Sequence, residues 1–211
     1  MVITNHGLDC FKLQYGDTVL AMNPPSDDSD RDTFRWGADV AMSSIRHPDY
    51  TGGSLLTGGD KTPIELTGPG EYEIDDISIT GVGYESNYAD DFFVNTIYNF
   101  RLQDMDVCFI GPVKDRDFPA DTQEVMEGID ILFVPITGTP TLDASEAYKL
   151  AVQIEPKIVI PTHFTAADES VVDGFLKEAG ADDTEKKEKL TISPRDLSGR
   201  DTDIEVVMPD T

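Results

Sequence analysis

Gly68-Pro69-Gly70-Glu71-Tyr72-Glu73-Ile74 and, after Asp75-Asp76, Ile77-Ser78-Ile79-Thr80-Gly81-Val82 make up the most informative stretch of the chain. The glycines and proline at 68–70 are turn formers. They do not make a phosphate loop, because neither Gly-x-x-x-x-Gly-Lys-Ser/Thr nor Gly-x-Gly-x-x-Gly occurs in the sequence. Glu71–Ile74 reads as a strand. Ile77–Val82 alternates apolar and polar residues in the manner of a half-buried strand.

Working outward, the first half is a series of short β signals. Val2–Thr4, Cys10–Gln14 and Thr18–Met22 are separated by turn residues such as Tyr15-Gly16-Asp17. Asn23-Pro24-Pro25 and Ser26–Asp32 read as an exposed loop, Asp39–Ser43 as a strand and Ser44–Gly53 as a loop. Strands follow at Ile64–Thr67, Phe93–Phe100 and Met105–Ile110. In the second half strands alternate with helices. Helices are expected at Asp121–Glu127, Asp143–Ile154 and Asp168–Ala179, and strands at Ile131–Pro135, Ile158–Ile160, Leu190–Ile192 and Ile204–Met208. Asp143 can cap the middle helix, with Glu146 three residues on for a capping box. Ala147, Leu150, Ala151 and Ile154 form its apolar face, and Pro156 ends it. Strands followed by strand–helix alternation predict an α/β fold of two sheets flanked by helices, in one domain over residues 1–211.

Composition narrows the function classes. The chain carries 41 acidic and 16 basic residues, a net charge of -25, spread along its length. Such a field repels phosphate backbones, so neither nucleic acid nor an anionic membrane is an expected partner. The pattern suits a salt-rich cytoplasm, where ions screen the self-repulsion. No apolar run approaches the ~20 residues of a membrane span, and no signal peptide is evident, so a cytoplasmic address is expected. Cys10 and Cys108 sit in apolar stretches and read as reduced core residues. The acidic run Asp27–Asp32 lacks the oxygen spacing and central glycine of a calcium loop.

The opening stretch resembles a signature of the metallo-β-lactamase superfamily, in the branch of zinc-dependent-hydrolase-like proteins similar to sugar-acid lactonases. Other landmarks recur in order. Ile3-Thr4 with Gly7-Leu8-Asp9-Cys10-Phe11 resembles the family's opening, and Asn23-Pro24 stands where Asp-Pro is usual. Asn95-Thr96-Ile97-Tyr98, Ile110-Gly111, Asp130–Pro135 and Ile160-Pro161-Thr162-His163-Phe164 complete the set. The resemblance implies a four-layered αββα metallo-β-lactamase sandwich with its active site at one edge of the two sheets.

It also implies a ligand pattern: His-x-His-x-Asp-His, a further His, a bridging Asp and a last His, together holding two metal ions. Those ions make hydroxide from a bridging water near neutrality and polarise the scissile bond. Here the loop reads Ile45-Arg46-His47-Pro48-Asp49-Tyr50. Ile45 and Tyr50 replace histidines, while His47 and Asp49 are kept. The further His falls near Tyr84–Asn87, most simply on Ser86, Pro112 replaces the bridging Asp, and His163 is the last ligand. Three of seven positions survive. Leu8 holds the register of the opening His, which leaves His6 as a surface or turn residue, and Glu85 is the one nearby residue able to step in.

The candidate metal ligands are therefore His47, Asp49 and His163, and the candidate catalytic residues Asp49 and His163. Without metal, the two histidines would be satisfied by hydrogen bonds. Asp49 would then need a counter-charge, from Arg46 or a protonated histidine. Tyr50 would fill the void or hydrogen-bond an anion. The favoured reading is a non-catalytic family member, a pseudoenzyme serving as scaffold or small-ligand binder, with no cofactor. The alternative is a hydrolase of lactones or phosphoesters running on a single zinc or other divalent ion. A third reading is metal-free acid–base chemistry by His163 with Asp49. A small molecule and a second copy of the chain are the partners left open.

Overall fold

The computed structural model describes residues 1–198 and 205–210. Five strands open the chain: β1 (Val2–Asn5), β2 (Phe11–Tyr15), β3 (Thr18–Met22), β4 (Val40–Met42) and β5 (Ile64–Leu66). β1, β2 and β3 form an antiparallel meander, and β4 and β5 then add in parallel. A second group follows: β6 (Gly70–Ile74), β7 (Ile77–Tyr88), β8 (Asp91–Leu102), β9 (Met105–Phe109), β10 (Ile131–Pro135) and β11 (Ile158–Thr162). β6 to β9 pair antiparallel, and β9, β10 and β11 are parallel. Of the late strands, β12 (Lys186–Lys187) pairs with β15 (Met208–Pro209). β13 (Leu190–Thr191) edges the first sheet beside β1, and β14 (Glu205–Val206) edges the second beside β11.

Helices α1 (Ala120–Glu124), α2 (Ala144–Ile154) and α3 (Glu169–Glu178) pack on the outer face of the second sheet. This explains why β10 and β11 are unbroken apolar runs, buried on both faces. Alternate residues serve alternate layers. Ile131 and Phe133 face the first sheet, while Leu132 and Val134 face the helices. Phe11 and Phe133 meet edge-on across the sandwich with ring centroids 5.1 Å apart. Over the first sheet the outer layer is thin: a 3-10 turn at Gly53–Leu55 lies against Ala41, and Phe34 and Trp36 cover its neighbours. The arrangement is the two-sheet, helix-flanked metallo-β-lactamase sandwich.

Differences from the expected boundaries are local. β7 and β8 run further than their alternation suggests, to Tyr88 and from Asp91, because the two pair as one long hairpin. The Asp143 carboxylate accepts from the Glu146 N–H as expected for a cap, and Glu155 closes α2 in the left-handed conformation. Ile204, where the last strand was expected to start, lies outside the described residues. Cys10 and Cys108 are both buried, free thiols. Among the described residues no helix is long and apolar enough to cross a membrane.

Candidate functional site

The candidate residues gather where strands of both sheets run out into loops. β4 leads through Ser43 and Ser44 to Ile45 and a 3-10 turn over Pro48–Tyr50. β11 delivers His163, and the turn after β1 delivers Asp9. His163 and Leu8 both adopt left-handed backbone, φ 60° and 49°. They are held there by a reciprocal clip: the His163 N–H donates to Leu8 O at 2.9 Å, and the Leu8 N–H to Phe164 O at 3.1 Å. Left-handed torsions in non-glycine residues persist where surrounding bonds over-determine them, as here.

His47 and Asp49 are neighbours. The Asp49 backbone N–H donates to His47 Nδ1 at 3.2 Å, and the Asp49 Oδ2 carboxylate oxygen stands 3.7 Å from the same nitrogen. An Nδ1 that accepts leaves the proton of the neutral ring on Nε2. Oδ1 of Asp49 accepts from the Ser29 hydroxyl. Arg31, two residues on, sends one guanidinium nitrogen to the Asp49 carbonyl at 3.3 Å and the other to the Gly7 carbonyl at 2.8 Å. Arg46 plays no such part. It is exposed and its Nε donates to Thr67 O. The acidic run is solvated at Asp27, Asp28, Asp30 and Asp32, as expected, yet turns Ser29 and Arg31 inward.

His163 is buried and belongs to a different neighbourhood. Its Nδ1 lies 2.8 Å from the Thr137 hydroxyl, and its Nε2 lies 3.4 Å from the Tyr88 hydroxyl and 3.9 Å from Asp9 Oδ2. The carboxylate beside His163 is thus Asp9, and Asp49 is placed with His47. Asp9 has no exposed surface; Tyr50 OH donates to its Oδ2 at 3.2 Å, while Oδ1 has no hydrogen-bond partner among the described residues. The Tyr88 ring stands edge-on to both histidines, 5.5 Å from His47 and 6.0 Å from His163. Ile45, Tyr50, Tyr88 and Phe93 form one apolar cluster there.

Electrostatics follow from this packing. Burial pushes the Tyr50 phenol well above its ordinary range, and the Asp9 charge adds to the shift. Burial likewise raises Tyr88. The Cys10 thiol is pushed up to about 12 by burial, with Arg31 pulling the other way.

The donor chemistry does not fit a two-metal centre. Ile45 and Pro112 offer no side-chain donor, and Pro112 is buried. Among the described residues no three His, Cys, Asp or Glu side chains come together as a cation site. Ser86, at the register of the missing histidine, is on the correct face of β7, but Tyr88 on that face is the residue that reaches the site. Glu85 is exposed on the opposite face, as the pleat requires. His6 is packed rather than loose, 4.6 Å from the Phe34 ring and 5.6 Å from that of Trp36.

Asp9, Ser29, Arg31, Tyr88 and Thr137 are the members that sequence reasoning missed. Asp9 lay within the opening motif and Arg31 within an acidic loop, so neither carried a ligand signal of its own. Tyr88 was two residues from a position under scrutiny, on the same face.

Comparison with known proteins agrees with this architecture. The family model for the beta-lactamase superfamily domain matches residues 2–163. A Thermotoga maritima structure, named "a putative zn-dependent hydrolase of the metallo-beta-lactamase superfamily", is 26% identical, with 99% of this chain and 98% of that one covered and a TM-score of 0.75. A Parabacteroides distasonis structure, named "Putative metal-dependent hydrolase", is 18% identical over 98% and 92% of the two chains, TM-score 0.62. The isothiocyanate hydrolase from Delia radicum gut bacteria is 11% identical over 92% and 100%, TM-score 0.64. The two-sheet sandwich, the ordered motifs and the family match lead to one conclusion: the chain belongs to the β-lactamase superfamily.

Proposed function

We propose that this chain is a non-catalytic member of the superfamily, close to the sugar-acid-lactonase-like branch, that keeps the hydrolase scaffold as a small-ligand binder or assembly subunit. One observation carries the reading. The Arg31 guanidinium, bound to the carbonyls of Gly7 and Asp49, supplies a resident positive charge beside the surviving residues. Tyr50 and Ile45, at two histidine registers, pack into one apolar cluster with Tyr88 and Phe93. A metal-made hydroxide supplies both nucleophile and Lewis acid in this chemistry, each a matter of several kcal/mol, so its loss removes most of the rate. The test is elemental analysis of protein purified without added metal or chelator, alongside turnover of lactones and phosphodiesters. Substoichiometric zinc and no turnover are expected. Two tightly held zinc ions per chain would overturn the proposal.

The second reading, a hydrolase on one divalent ion held among His47, Asp49 and His163, draws on the 26% identity to the Thermotoga maritima protein over nearly the whole of both chains. It requires about one metal per chain, and activity lost both to chelator and to His163→Ala.

A further inference from the structure

The outer face of the first sheet holds a cleft of about 240 Å³ lined by Thr4, His6, Lys12, Gln14, Trp36 and Lys189, with Val2 at one end. Strand register sets its polar groups in a row. Thr4 pairs with Lys12 across β1 and β2, while Val2 and Ile3 pair with Thr191 and Leu190 across β1 and β13. Carried one residue further, the second register sets Lys189 opposite Thr4. Ile3, Leu190, Phe11 and Leu13 all point into the core, so Thr4, Lys12 and Lys189 share the outer face. Directly opposite residues on neighbouring strands have Cβ atoms about 5 Å apart, which sets Lys12 beside Thr4, and Lys189, just before β13, lines the same cleft.

Two like charges bracketing one position of a sheet repel each other. In this chain the pair is more unusual still, because acidic residues outnumber basic ones 41 to 16. Yet no carboxylate lines the cleft, and among the described residues neither Lys12 nor Lys189 has an ion-pair partner. Lys12 instead lies over the Trp36 ring, 5.1 Å from its centroid, and His6 stacks on the same ring. The indole Nε1–H of Trp36 and Nε2 of His6 are buried without hydrogen-bond partners among the described residues. Burial, and then Lys12, lower the His6 pKa, so this wall is neutral at neutral pH and the positive charge belongs to the lysines.

We propose that this cleft binds a small oxyanion, a phosphate or carboxylate group seated between the ammonium groups of Lys12 and Lys189 above the Thr4 hydroxyl. Charge-assisted hydrogen bonds from two ammonium donors are the strong kind, and the flexible lysine stems let both converge on one group. A long polyanion is a poor fit, since the cleft is small and the rest of the surface, at net charge -25, repels it. The free metabolite type is therefore the ligand.

Trp36 is the only tryptophan in the chain, so its emission reports on this cleft alone. Inorganic phosphate and, separately, succinate are titrated into the full chain at constant ionic strength, with chloride as reference and calorimetry in parallel. A saturable change with either oxyanion is expected, weakened about tenfold or more, about 1.4 kcal/mol, in Lys12→Gln/Lys189→Gln. The arm that saturates at lower concentration distinguishes a phosphate-type from a carboxylate-type ligand. Neither lysine is in the core, so the double variant should melt within a few degrees of the parent. No emission change and no heat with either anion, equal saturation in the double variant, or the same response to chloride would each overturn the proposal.

Discussion

The Tyr50 hydroxyl donates to Oδ2 of Asp9 across 3.2 Å, and neither residue has any exposed surface. A carboxylate removed from water is costly unless it is paired or hydrogen-bonded. Tyr50, at a register where the family implies a metal-binding histidine, meets that need for one oxygen of Asp9, and the other oxygen has no partner among the described residues. The phenol is held un-ionised by burial, so it remains a donor at any ordinary pH.

Tyr50→Phe should therefore destabilise by about 1–3 kcal/mol, because it strands a buried acceptor. For a chain of this size that lowers the melting temperature by about 2–4 °C per kcal/mol. Adding Asp9→Asn removes the charge that was stranded, so the double variant should lose less than the sum of the two single changes. Strict additivity in the cycle would show that the two side chains are not coupled.

Arg31 and Arg46 make opposite forecasts. Arg31→Gln removes the guanidinium from the carbonyls of Gly7 and Asp49 and should cost about 1–3 kcal/mol. Arg46→Gln acts on an exposed side chain and should stay within about 0.5 kcal/mol. Asp49→Ala should also lower stability, through the lost contact with Ser29. Equal melting curves for the two arginine variants would remove Arg31 from the role given to it.

Gly52→Ala probes the seat of the loop that carries Ser29 and Arg31. A Cβ at 52 would stand 1.9 Å from the Pro25 carbonyl oxygen, and backbone cannot yield as a side-chain tip does. The Gly52 N–H also donates to Pro24 O at 2.6 Å. A loss of several kcal/mol is expected, of the order seen for overpacked or strained sites. A variant melting like the parent would mean that the loop is not docked there.

Stability should decline on the alkaline side. Cys10 is wholly buried and its thiol is pushed up from 9.0 to about 12. Between those values the unfolded chain releases the proton while the folded chain keeps it. The contribution is thus complete below pH 9 and is lost as pH rises toward 12, about 1.4 kcal/mol for each unit. Melting temperature against pH checks the direction, and Cys10→Ala should flatten part of the slope. In the native state neither buried thiol should react with a thiol-specific dye at pH 8; rapid labelling would contradict their burial.

Much of the fold was legible because periodicity reports burial. β10 and β11 read as unbroken apolar runs since they are covered on both faces, and α2 announced itself through Asp143, Glu146 and Pro156. The length of the β7–β8 hairpin was not legible, because residues such as Glu85, Asn87 and Phe92 are exposed where it projects and follow no buried pattern. At the site, the three candidate ligands did not stay together. Asp49 stayed with His47, whereas His163 found Asp9, a pairing set by the clip between Leu8 and Phe164 that no local pattern encodes. Arg31 outperformed Arg46 for the same reason: proximity along the chain is a weak guide to which guanidinium a folded loop turns inward.

That clip carries a consequence for how the molecule is made. It buttons residue 8 to residue 164, and the carboxylate and imidazole it aligns come from distant parts of the chain. A ribosome releasing this chain must expose the N-terminal meander long before its fastener exists, leaving Asp9 and an unzipped strand margin to wait in water. Contacts this distant are late and slow to form. The pairing of Val2 with Thr191 in β1 and β13 waits longer still, so a partly made chain is a sheet whose buckle and outer margin are both undone.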